Sequence, residues 1–211
     1  VRRFEASAAF SVPSVYFHQR AIERRRMRAT AADLLGDELF LEYVYAVLPS
    51  RGCIARAGRR PRWSSSPSSQ RHRAALPLIE ELWLLDITGL PAEGVPAVGE
   101  RAWEAIATIR ASTSETQIVA GSKTLYHVLP DLIPPIDRQY TFRFFTSQKI
   151  TASDERAFLV WFPYLAEIGR RCRNPIDEAL NRGGLMATSR AKVIDTAIIG
   201  FMQAKDAAPG S

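Results

Sequence analysis

Apolar residues recur at three- and four-residue spacing along most of this chain, and no segment alternates apolar and polar residues with a period of two. The first spacing lines one stripe of a helix, whereas a half-buried strand needs the second. Leu39, Phe40, Tyr43, Val44 and Val47 make one such stripe. Leu78, Ile79, Leu82, Trp83 and Leu85 make another, and Phe158, Leu159, Phe162, Leu165 and Ile168 a third. Asn-Gly and Asp-Gly hairpin turns and internal repeats are absent. The chain is therefore read as all-α, a single-domain orthogonal bundle of about eight or nine helices over residues 1–211.

Cap and breaker residues place the boundaries. Ser14 opens a helix that runs to about Arg28. Thr30 caps a short turn through Leu35, Gly36-Asp37 restarts the helix, and Pro49 stops it. Helices follow over Leu76–Leu85 and Val98–Ala111. Thr151 to Asp154 caps a helix reaching Arg171, kinked at Pro163. Asn174-Pro175 starts the next one, which ends at Gly183-Gly184. Thr188 or Ser189 caps the last.

Charge is unevenly spread. The net charge is +6, yet residues 51–75 hold seven arginines and no acid, and the rest carries 21 basic against 22 acidic side chains. Residues 51–74, RGCIARAGRRPRWSSSPSSQRHRA, show no helical or strand period. They read as a disordered basic arm for nucleic-acid phosphate, as an insertion without a role, or as a stretch translated out of frame. Arg20, Arg24, Arg25, Arg26 and Arg28 end the first helix. They form either a solvated, dipole-matched terminus or a patch that contacts phosphate.

No apolar run is long enough for a membrane span, and no apolar stretch follows Arg2 and Arg3 as a signal peptide would require. Cys53 and Cys172 lie far apart without metal-ligand spacing, which fits a reducing cytoplasm. The three histidines show no ligand spacing either, so no metal or other cofactor is expected.

The densest local chemistry lies between Thr116 and Phe145, TQIVAGSKTLYHVLPDLIPPIDRQYTFRFF. Glu115 to Ala120 reads as the end of a helix, closed by Gly121 in the left-handed conformation. Ser122 then caps a second helix from Lys123 to about Leu129, giving a helix-hairpin-helix-like corner near 116–129. Amides of Ser122, Lys123 and Thr124 would face an anion there, or the corner is a plain junction between core helices. Lys123 and His127 share a helix face. A lysine at a helix N-terminus runs against the dipole, so Lys123 reads as an activated amine or as a surface residue. Pro130, Pro134 and Pro135 stiffen the following loop. Asp137 stands where an N-cap would, and its carboxylate caps a helix, stabilises a developing cation, or does both. Arg138 and Arg143 are placed to bind phosphate or to pair with Asp131 or Asp137.

This order of residues resembles the helix-hairpin-helix DNA glycosylases of the Gly/Pro-Asp type. Gly121, Lys123 and Thr124 match the family's hairpin and the helix after it; Pro135, Ile136 and Asp137 match its Pro-Val-Asp turn. The hairpin itself reads Ile-Val-Ala-Gly-Ser here rather than Leu-Pro-Gly-Val-Gly. The chain also looks like uncharacterised bacterial proteins with an SKxLxHxLPDLxPPxD core. The glycosylase resemblance implies duplex DNA as partner, Asp137 stabilising an oxocarbenium-like sugar, and Lys123 attacking the sugar carbon. It implies Gly121, Ser122, His127, Arg138, Tyr140 and Arg143 as substrate contacts, with Tyr126, Tyr140 or Phe144 against the extrahelical base. The expectation is a DNA-binding relative of these enzymes, with or without retained catalysis. The alternative is a non-enzymatic helical interaction protein whose 116–145 stretch is architectural.

Overall fold

Short side-chain caps start several helices in the computed structural model, which describes residues 12–50, 67–112, 116–146 and 153–208. Thr30 Oγ1 accepts the Asp33 amide at 3.1 Å and Asp37 Oδ1 the Phe40 amide at 3.2 Å. Ser153 and Ser189 do the same for the Arg156 and Lys192 amides. Each satisfies an amide that the first turn of a helix leaves without a partner.

Eleven α-helices and no strand occur among the described residues. They are α1 (Val12–Arg26), α2 (Ala31–Leu35), α3 (Glu38–Ser50), α4 (Pro67–Ala74), α5 (Leu76–Leu82) and α6 (Val95–Ile109), followed by α7 (Ile118–Val128), α8 (Thr141–Phe145), α9 (Asp154–Arg171), α10 (Arg173–Arg182) and α11 (Arg190–Asp206). A single turn of 3-10 helix, Ala92–Gly94, leads into α6. One hydrophobic core runs from Ala21 in α1 to Ile198 in α11, so the chain forms a single compact all-α domain.

The core is built around α7. Every residue from Ala120 to Val128 is buried, as expected of a helix enclosed on all sides. Helices α1, α3, α6 and α9 pack against it. Helices α6 and α9 meet through tilted rings of Trp103 and Phe158, 5.7 Å apart, and α9 continues through Pro163.

Residues 67–74, within the arginine-rich stretch that lacks a helical period, form α4 instead. Pro67 occupies its first position, where a missing amide costs least. Its polar sequence is held by tertiary contacts instead of a strong stripe. His72 is buried edge-on to the Tyr45 ring, and Arg71 donates to the Arg110 carbonyl at 3.2 Å. The rest of that stretch, 51–66, lies outside the described residues, as do the lead-in 1–11 and Cys53.

Candidate functional site

The corner expected at Gly121-Ser122 is the interior of one helix. Gly121 donates its amide to the Gln117 carbonyl at 2.8 Å and has ordinary helical geometry; among the described glycines only Gly183 and Gly184 have positive φ. A glycine is required here for a different reason. A Cβ at 121 would lie 2.4 Å from Ile106 Cγ2, so α6 and α7 touch backbone to side chain. Ser122 is not a cap. Its hydroxyl donates to the Val119 carbonyl and accepts the Ile136 amide at 3.0 Å, which ties the proline-stiffened loop to α7.

The true N-terminus of α7 lies at Gln117 and Ile118, and a carboxylate already sits there. Asp154, from the start of α9, accepts the Gln117 amide and the Ile118 amide, the latter at 3.0 Å. A helix N-terminus favours an anion, and the chain supplies its own.

Asp137 does the capping expected of it, on a turn. Its Oδ1 accepts the Tyr140 amide at 2.7 Å, and its own amide donates to Thr141 Oγ1 at 3.3 Å. Tyr140 packs against Met186 and Ile199, with its hydroxyl bonded to Gln139 at 3.1 Å. Arg143 pairs with neither Asp131 nor Asp137. It holds Asp206 at the end of α11 through two bonds, of 3.0 and 2.6 Å. Those bonds raise the Arg143 pKa and lower that of Asp206. Arg138 is exposed on the turn before α8.

Lys123 is in mid-helix and only 7% exposed, so it is neither a surface lysine nor at a helix start. It lines a small cavity of about 10 Å³, together with His18, Val47, Tyr126, His127 and Lys192. That is the space of about one water. Pro135 reaches this cavity; Asp137, two residues on, is not among its lining residues. His127 Nδ1 lies 2.6 Å from the Lys123 carbonyl, and its Nε2 lies 3.2 Å from His18 Nδ1. His18 Nε2 meets Thr188 Oγ1 at 3.3 Å, and Thr188 Oγ1 meets the Tyr126 hydroxyl at 3.0 Å. On α11 the buried Lys192 ammonium binds the buried Asp195 carboxylate.

Sequence reading thus found Lys123 and His127 and missed His18, Thr188, Lys192 and Asp195 as their neighbours. A signal existed for the last pair. Lys192 and Asp195 are three apart, on a helix otherwise rich in Val193, Ile194, Ala197 and Ile198. No comparable signal links His18 to His127, which are 109 residues apart.

The basic end of α1 serves the fold as well. Arg24 and Arg28 converge on the buried Asp37 carboxylate at 2.8 and 2.9 Å. Arg25 lies 3.5 Å over the Trp83 ring and donates to the Val128 carbonyl at 2.7 Å, closing α7. Arg26 donates to the Thr188 carbonyl at 2.9 Å, and Arg20 pairs with Glu23. Arg24, Arg25 and Arg26 fill the last turn of α1, as a dipole-matched terminus expects, with Arg20 and Arg26 exposed, and the same side chains reach carboxylates, a ring and carbonyls.

Among the described residues, no cluster of His, Cys, Asp or Glu has the grouping of a metal site, and no helix is long and apolar enough to cross a membrane. Comparisons of the chain with protein-family models, with curated proteins and with solved structures found no match.

Proposed function

We propose that this chain is a non-enzymatic helical interaction protein, with residues 116–145 serving its architecture. One observation carries the reading: the Ser122, Lys123 and Thr124 amides expected to face a phosphate lie inside α7, and at the actual start of that helix the Asp154 carboxylate takes the Gln117 and Ile118 amides. The other groups expected to do chemistry have structural work in the same region. Asp137 caps a turn, Gly121 admits Ile106, and Arg143 fastens Asp206. Lys123 is buried, out of reach of a sugar presented at the surface. The test is a panel of duplexes carrying abasic sites or oxidised bases. The expected result is an intact strand in every lane; scission that Asp137→Asn removes without unfolding the protein would overturn the reading.

Duplex DNA binding without excision is a second reading, favoured by the seven arginines and no acid in residues 51–75. It predicts affinity that falls steeply with salt, with a slope that shrinks when residues 51–66 are deleted. An unchanged slope, or no binding, would rule it out.

A further inference from the structure

A pocket of about 330 Å³ opens between α1, the loop after α7 and the turn into α11. That volume is at the lower end of those that hold small molecules. Ile22 and Leu180 give it apolar walls, and Arg25, Arg26, Asp131 and Thr188 give it polar ones. Two guanidinium groups face one carboxylate. Asp131 already accepts the Arg190 amide at 3.0 Å, and Arg25 and Arg26 each spend an N–H on a backbone carbonyl. A guanidinium carries five N–H groups, so the pocket retains donors and a net positive charge. Burial pushes the Arg25 pKa down, with Asp131 opposing, so this charge sits where water screens it poorly.

Thr188 joins this pocket to the buried histidines. A carbonyl only accepts, so the 2.6 Å contact with the Lys123 carbonyl puts a hydrogen on His127 Nδ1. With both rings neutral, His127 Nε2 then accepts from His18 Nδ1, and His18 Nε2 accepts from the Thr188 hydroxyl, which accepts from Tyr126. These four contacts point the same way, from Tyr126 towards Lys123. One added proton on the imidazole pair is accommodated by reversing bonds. His18 Nε2 then donates to Thr188, and the Thr188 hydroxyl hydrogen is released from the ring. A second added proton would set two N–H groups against each other at 3.2 Å. Lys123 and Lys192 line the same cavity and oppose the added proton, while Asp195 offsets Lys192. From the pocket side, Arg25 and Arg26 oppose it and Asp131 favours it.

We propose that this pocket binds a small organic anion, and that Thr188 couples its occupancy to a proton held by the His18–His127 pair. The anion pairs with the guanidinium groups and offsets the cationic surroundings of the imidazoles, so binding and protonation favour each other.

Calorimetric titration of the full chain with benzenesulfonate tests this, because the probe's charge is constant across the imidazole range. Affinity is expected to rise, by at most about tenfold per pH unit, as pH falls through the titration of the pair. The uncharged benzenesulfonamide should bind at least about tenfold more weakly, and Arg26→Ala should lower sulfonate affinity by a similar factor, as loss of a charged hydrogen bond does. His18→Asn should bind with a flat pH profile. In the wild type, imidazole nitrogen shifts should show the pair titrating at higher pH when sulfonate is bound, a readout that does not depend on the variant folding. Absence of binding, equal affinity for the sulfonamide, or an imidazole titration indifferent to the sulfonate would each overturn the proposal.

Discussion

Asp154, at the start of α9, caps a helix to which it does not belong: its Oδ2 accepts the Ile118 amide of α7 at 3.0 Å. The carboxylate also takes the neighbouring Gln117 amide, so one side chain anchors the central helix to the aromatic face of α9. Asp154→Ala should lower stability by about 1–2 kcal/mol, the usual cost of an N-cap. The measurement is the urea midpoint of unfolding at an unchanged slope.

Gly121 is a packing glycine. Its replacement by alanine improves helix propensity by about 1 kcal/mol but drives a methyl into Ile106 Cγ2. At 2.4 Å the clash wins, and a net loss of roughly 1–3 kcal/mol is expected. With Ile106→Ala already in place Gly121→Ala should cost less, so a double-mutant cycle will show coupling between the two sites.

The pair of arginines on Asp37 makes stability depend on pH. Burial alone would raise the Asp37 pKa. Hydrogen bonds from Arg24, Arg28 and the Phe40 amide outweigh it, and the net shift is downward. A carboxylate depressed in the folded state contributes stability above its unfolded value near 3.8 and loses it as pH falls through the lower folded value. Asp37→Asn should therefore cost about 1.5–3 kcal/mol at neutral pH, the usual worth of hydrogen bonds to a charged group. The gap to wild type should close in acid, which unfolding curves at a series of pH values will show.

Breaking the buried pair on α11 should be severe. Lys192→Met takes the ammonium from a carboxylate only 3% exposed, and a loss of roughly 3–5 kcal/mol is expected. Lys192→Met with Asp195→Leu should be more stable than Lys192→Met alone. Thermal unfolding of the three proteins decides it.

Much of the fold was legible because helix period and cap chemistry are local. Thr30, Asp37, Ser153 and Ser189 cap as their residue types suggest. Helix α4 was hidden because its buried His72 packs against the distant Tyr45 ring, not within an apolar stripe of its own sequence. Gly121-Ser122 misled for a physical reason: the same two residues that end a helix also suit a tight helix crossing, and only the position of Ile106 tells these apart. The polar cluster was half legible. Lys123 and His127 lie on one turn of α7, but Thr188 and His18 come from the two ends of the chain.

The chain itself fills the anion position at the start of α7, through Asp154. Titrating inorganic phosphate while following the Gln117 and Ile118 amide resonances tests it most directly. Wild-type amides should stay unmoved, and the same amides in Asp154→Ala should shift as phosphate enters the vacated place. A saturable shift in the wild type would mean that Asp154 yields to phosphate, and the architectural reading of residues 116–145 would be contradicted.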